Sequence, residues 1–233
     1  GFKEFKYSLM QEEIKSESSG KEQESIELYG FQLSRQDSLD VIPGKVVTTS
    51  IQLLEETLRS IQIREFRRGV EAIVKAKSIV IYSVEDSSGV AHDLLTKLTY
   101  LGLNCRSYGD SYLQSVSASN LDKGDLAVGI SYSGYSRDTV EMIHLAKKAG
   151  ASTLVITNFE NSLITEYADI LLCTSDRQFL YGNTIFSRVT QMALVDMLYA
   201  GVLNYDYDRL HKNLNKNSRI VSSRAYDKKE EIL

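Results

Sequence analysis

An α/β sandwich is the fold this sequence predicts: five parallel strands in one sheet, helices on both faces and a helical extension at the N-terminal end. Three observations predict it. From Lys77 onward, short apolar runs alternate with amphipathic helical stretches. The connections are short, which suits strand–helix–strand units and parallel pairing. Two serine-rich turns, one after Val84 and one after Ile130, follow apolar runs directly. The carboxyl ends of strands are where open parallel sheets keep their ligand crevice, so the two turns could line a single one.

Taken in order, residues 1–13 read as a short amphipathic helix, with Phe2, Phe5 and Leu9 at roughly helical spacing. Ile14 to Asp40 is rich in Ser, Glu, Gln and Lys, and a linker is expected through residue 42. A chain that opens on an apolar helix and then a linker fits the removal of something upstream. An ordinary N-terminal helix fits the same residues equally. Pro43 and Gly44 open a long helix whose apolar stripe is Val46, Val47, Ile51, Leu54, Leu58 and Ile61. A second helix, Ile63 to Ala76, turns Phe66, Val70 and Ile73 inward. Strands are predicted at Ser78–Val84, Asn104–Ser107, Leu126–Ser131, Ser152–Thr157 and Asp169–Cys173. Helices fit between them at Ser87–Leu101, Tyr112–Ala118, Arg137–Ala149 and Ser162–Tyr167. A last helix, Ser187 to Leu203, is apolar around much of its surface and should be deeply buried. The main unit is therefore expected over residues 43–205, with a C-terminal helix and a fraying polar tail over 206–233.

Composition narrows the function. Of the 233 residues, 42% are hydrophobic and 25% charged, enough for one full-sized core. A formal net charge of -4 argues against this chain alone gripping nucleic acid, which needs a basic face. Cys105 and Cys173 lie far apart in strand-like segments, which predicts buried free thiols in a reducing cytoplasm. No apolar run reaches the length of a membrane span and no signal peptide opens the chain, so a cytoplasmic protein is expected. No Cys/His cluster calls for a metal, and no cofactor is expected.

The richest signal runs from Gly129 through Ser131, Tyr132, Ser133, Gly134, Tyr135 and Ser136 to Thr139. It joins a strand to a helix with Val140, Ile143 and Ala146 on one face, closed by Gly150. Such a turn gathers small hydroxyls and free backbone N–H groups at a helix N-terminus. The unpaired donors and the positive end of the helix dipole favour an anion there. Serine hydroxyls donate to phosphate oxygens, and Gly134 lets the backbone approach closely. A phosphate-bearing ligand is therefore expected on Ser131, Tyr132, Ser133, Gly134 and Ser136. Plain capping, by Ser136 or its neighbour Asp138, explains one of these residues but not three serines around a glycine. Ser87 and Ser88, at the other turn, join the candidate site. Of the histidines only His92 lies near a turn, while His144 and His211 read as surface or packing residues. The fourteen tyrosines are scattered and form no base-stacking row.

These residues carry a family resemblance. The run Ser131-Tyr132-Ser133-Gly134-Tyr135-Ser136, with Val140 and the segment Gly150 to Asn158, resembles the sugar isomerase (SIS) domain. That family's pattern is Ser-x-Ser-Gly-x-Thr, a helix, then a strand ending near Thr-Asn. Within the family the chain is similar to the RpiR-type transcriptional regulators, which place a helix-turn-helix domain before a phosphosugar-sensing SIS domain. Phe2-Lys3-Glu4-Phe5-Lys6, Leu9 and Gln11-Glu12 are similar to the closing helix of their DNA-binding domain. Val46 to Ile51 with Leu54 to Thr57 is similar to the first helix of their sensor. Asp110, Leu113 and Ser117-Ala118 fit the stretch after the second strand, and Ser187-Arg188-Val189 with Ala193 to Asp196 fits the last long helix.

The resemblance implies a SIS-type, flavodoxin-like or Rossmann-like sandwich without catalytic residues, a sugar phosphate effector, and a homodimer or higher homo-oligomer. It also implies that DNA is bound only through an upstream domain, of which residues 1–13 are the remnant. One departure is specific. The family's Gly-x-Gly-Ser-Ser-Gly turn corresponds to Ser83-Val84-Glu85-Asp86-Ser87-Ser88, where all three glycines are lost and two acids appear. Glu85 and Asp86 would repel a nearby phosphate, accept hydrogen bonds from sugar hydroxyls, or point away. Only Ser87 carries over cleanly. Before the last helix, Tyr181-Gly182-Asn183-Thr184 replaces the family's small-residue run. Two rival readings remain: an aldose–ketose isomerase using Glu85 or His92 as base, and a domain kept only for dimerisation.

Overall fold

The computed structural model describes residues 37–174, 188–222 and 224. The predicted helix over 1–13, most of the linker and the Tyr181–Thr184 run lie outside the described residues. Five strands, β1 (Ile79–Tyr82), β2 (Cys105–Ser107), β3 (Leu126–Ile130), β4 (Ser152–Thr157) and β5 (Ile170–Cys173), form one sheet in the order β2-β1-β3-β4-β5. Every pairing is parallel. From β1 the chain builds β2 on one side and then returns to place β3 on the other, so the strand order reverses between β1 and β3. Ligands of open parallel sheets bind outside such a reversal. Tyr82 pairs with Gly129 and Ile130 with Ile156, which sets the turns after β1 and β3 side by side.

The helices are α1 (Ile42–Ser60), α2 (Ile63–Lys75), α3 (Ser87–Tyr100), α4 (Ser111–Ser119), α5 (Arg137–Ala149), α6 (Val189–Tyr205) and α7 (Tyr207–Ser222). Successive strand residues point to opposite faces, and here both faces are covered. Ile79, Ile81, Val128, Leu154 and Ile156 share a core with Val70 and Ile73 of α2, Leu94 of α3 and Leu198 of α6. Val80, Tyr82, Ala127 and Val155 pack with Ala118 of α4 and Val140, Ile143 and Ala146 of α5. Gly129 lets α5 settle onto the sheet, since a Cβ there would lie 2.5 Å from Ile143 Cγ1. Gly150 ends α5 with φ 101°, the left-handed cap that glycine favours. Asn213 and Asn217 of α7 donate to the carbonyls of Leu101 and Tyr100, closing the C-terminal end of α3.

Three expectations need correction. On α1 the residues buried are Leu53 and Thr57, while Val47, Ile51 and Leu58 of the predicted stripe face solvent. Apolar spacing identifies a face but not the neighbour that covers it, and Thr57 is inexpensive to bury because its hydroxyl donates to the Leu53 carbonyl at 2.8 Å. The segment Leu163–Tyr167 is a 3₁₀ helix, a single short turn in which the Ser162 carbonyl accepts both the N–H and the hydroxyl of Thr165. Neither Cys105 nor Cys173 forms a disulfide, and both are only partly buried, because β2 and β5 are the two edges of the sheet. Among the described residues, no helix is long and apolar enough to cross a membrane.

Candidate functional site

After β3 the chain turns through Ser131–Ser136 into α5. Ser131 is buried, and its hydroxyl oxygen accepts the Gly134 N–H at 3.1 Å. The half-buried Ser133 hydroxyl accepts the Tyr135 N–H at 3.2 Å. A hydroxyl that accepts a backbone N–H keeps its own proton to donate elsewhere. Ser136 holds the N-cap position of α5, yet its side chain makes no capping bond. The expectation of a capping Ser136 is thereby corrected, although Asp138, the other candidate, does place a carboxylate in the first turn of α5. The N-terminal amides of α5 thus receive no capping bond from Ser136. Gly134 has φ 67°, and a Cβ on it would lie 2.0 Å from Ser162 Oγ. The missing side chain is therefore accounted for by the approach of Ser162 rather than by a ligand.

Tyr132 is buried between these serines. Its carbonyl accepts the Asn158 N–H and the Thr157 hydroxyl, each at 3.2 Å, and its ring meets Phe159 edge-on with centroids 6.1 Å apart. Burial pushes its phenol well above the usual range. Asn158, just past β4, is fully buried and accepts from Gln191 Nε2 at 3.1 Å. Gln191 is fully buried too, so this network joins the ends of β3 and β4 to the start of α6.

The turn after β1 is built differently. The Ser83 carbonyl accepts from the buried Gln114 at 3.1 Å, and the Glu85 carbonyl accepts the Ser88 N–H at 2.9 Å. Glu85 has φ 53°, in the left-handed region that favours glycine. It stands where the family pattern has its second glycine, so the backbone keeps a glycine conformation without the glycine. Ser87 is buried at the start of α3, whereas Glu85, Asp86 and Ser88 are exposed.

Arg188 joins the two turns. It holds the N-cap position of α6, pairs with the Asp86 carboxylate at 3.1 Å, and lies with its guanidinium carbon 5.0 Å from the Tyr132 ring centroid. Burial lowers its pKa and outweighs the opposing influence of Asp86, Tyr132 and Glu85, yet an arginine remains a cation. Arg188, Asn158 and Gln191 were not among the predicted site residues. Their available signal was position alone: a polar residue past a strand end, and two more at the start of a helix.

The structure thus gathers Ser87, Ser131, Tyr132, Ser133 and Ser136 at the ends of neighbouring strands, with Ser88 and Glu85 on the exposed rim. His92 is exposed on α3, His144 stacks on Tyr167 at 4.5 Å and His211 on Tyr207 at 4.9 Å. A cavity of about 380 Å³ beside β5 is lined by no residue of either turn, although Asn161 on its wall accepts the Tyr135 hydroxyl at 3.2 Å. Its Arg68 and Glu65 already pair with each other at 2.6 Å, so it offers no uncompensated charge from them.

The family model described as SIS domain matches residues 72–201, from α2 through β1 into α6. This chain belongs to the SIS-domain family. Within it the chain groups with regulators of the RpiR type. An HTH-type transcriptional regulator of Caldanaerobacter subterraneus subsp. tengcongensis is 32% identical over 193 residues, covering 82% of this chain and 68% of that protein. The sugar isomerase domain of the RpiR transcription factor from Sphaerobacter thermophilus superposes with a TM-score of 0.70 at 27% identity, over 77% of this chain and 99% of that one. The Vibrio vulnificus NanR protein complexed with ManNAc-6P gives a TM-score of 0.74 at 24% identity, over 83% of this chain and 72% of that one, a likeness of fold.

Proposed function

We propose that this SIS domain is the phosphosugar-sensing effector part of a transcriptional regulator of carbohydrate metabolism, and that it is not an enzyme. The observation that carries the reading is the uncapped start of α5 beside Ser131 and Ser133, whose hydroxyls accept backbone N–H groups and keep their protons for an anion. The ligand's phosphate sits on that helix start, held by Ser131, Ser133, Ser136 and the backbone of Tyr132 and Gly134. Ser87 assists from the other turn, and Ser88 and Glu85 meet the sugar hydroxyls. The regulator names of its relatives, and the ManNAc-6P held by NanR, support this.

Residues 43–205 are the sensor and 206–233 its C-terminal helix and tail. Residues 1–13 belong to a helix-turn-helix domain that contacts DNA, joined by the linker 14–42. The protein works in the cytoplasm as a homodimer or higher homo-oligomer. A ligand shifts such an assembly only through different affinities for its two arrangements. An isomerase would need an oriented base, but His92 and Glu85 are exposed and among the described residues no hydrogen bond orients either side chain. Thermal shift against sugar phosphates, amino-sugar phosphates, inorganic phosphate and plain sugars tests the reading. A ligand at ~100 times its dissociation constant should stabilise the fold by about 2.7 kcal/mol. Stabilisation by one sugar phosphate, lost in Ser133→Ala and without turnover, is the expected result. Silence across the panel, or turnover, would overturn it.

A further inference from the structure

We propose that Arg188 is a further ligand-binding residue, a cation that takes part of the phosphate charge and is aimed by Asp86. The inference rests on the phosphosugar reading and supplies the full positive charge that the serine turn lacks. Serine hydroxyls and helix amides offer only partial charges. The one cation within the α5 start, Arg137, has a side chain 88% exposed and is paired with Glu141 at 2.9 Å. Arg188 is paired as well, with Asp86, but it differs in burial and in what it packs against. Its side chain is only 19% exposed, and its guanidinium packs over Tyr132, the residue between Ser131 and Ser133.

A guanidinium matches phosphate with two parallel N–H bonds, and a half-buried charge is screened less than an exposed one. The Tyr132 ring supports the guanidinium from 5.0 Å, and Asp86 holds its Nη2 at 3.1 Å. This reverses the sign of Asp86's contribution. Alone at the rim, its carboxylate would repel a phosphate; paired, it holds a cation against the serine turn. The acid where the family has small residues then acts as a positioning residue for Arg188.

The test titrates the purified chain with inorganic phosphate at low ionic strength, by calorimetry, for the wild type and four variants, with ligand-free melting temperatures as the folding control. Arg188→Gln should weaken phosphate binding by about ten-fold and flatten its salt dependence. Arg188→Lys, which keeps the charge but loses the fork, should fall between the two. Asp86→Asn should weaken binding although it removes a negative charge, an outcome that a merely repulsive acid would not give. Tighter binding in Asp86→Asn would overturn the aiming role. Unchanged binding in Arg188→Gln, with binding lost in Ser133→Ala, would sink the inference and leave the phosphosugar reading intact. Absence of phosphate binding in the wild type overturns both.

Discussion

The turns after β1 and β3 occupy equivalent places on neighbouring strands, yet opposite means hold them in shape. The β3 turn uses a glycine at φ 67°, ties two serine hydroxyls to its own amides, and locks into Thr157, Asn158 and Ser162. The β1 turn puts a glutamate at φ 53°, takes one bond from the buried Gln114 at the Ser83 carbonyl, and pairs its Asp86 with Arg188. A non-glycine residue in that region costs about 1–2 kcal/mol. The β3 turn is thus specified by packing, whereas the β1 turn keeps its backbone against its own preference and spends its side chains on the crevice rim. The same architecture has a rigid half, held by buried bonds, and a half held against its own backbone preference.

The largest effect should come from Gly134→Ala, which meets both a positive φ and a Cβ 2.0 Å from Ser162 Oγ. A loss of about 3 kcal/mol or more in urea unfolding is expected. Adding Ser162→Gly should recover the steric part and leave the backbone part, which separates the two causes. Next, Gln191→Ala should cost about 2 kcal/mol by removing a buried donor to Asn158 and opening space. That loss would extend the rigid half to α6. In the opposite direction, Glu85→Gly should stabilise the fold by about 1 kcal/mol, and a loss of stability there would remove the contrast between the turns.

Asp169, remote from both turns, gives the smallest effect and a control. Burial raises its carboxyl, but Lys147 and Thr153 outweigh that and hold it below the usual carboxylate range. A depressed folded pKa adds stability that is present above the unfolded value of about 3.9 and lost as pH falls through the folded one. Stability should therefore decline below about pH 4, and Asp169→Asn should flatten that decline while phosphate binding stays unchanged.

Much of this was legible in the sequence because each signal was local. The α5 range Arg137–Ala149 and the strand Ser152–Thr157 follow from apolar period and a glycine stop, and the structure has both with those bounds. The serine turn was legible for the same reason. Arg188 was not, since it lies 102 residues from the Asp86 it pairs with, and they become neighbours only because α3 and α6, whose N-terminal ends they hold, pack side by side. The outward stripe of α1 was misread because periodicity says which residues share a side, not which side α6 covers. Likewise, the sequence showed Gly134 but not Ser162, distant along the chain, whose approach leaves no room for a side chain there.

The backbone at Glu85 has a consequence in the genetic code. Glutamate codons become glycine codons by changing their second base alone, so the residue that this left-handed position favours is one transition away. A library of random single-base changes, selected only for heat resistance, should return glycine at position 85 early. The same library should return almost nothing at Gly134, where every alternative side chain runs into Ser162.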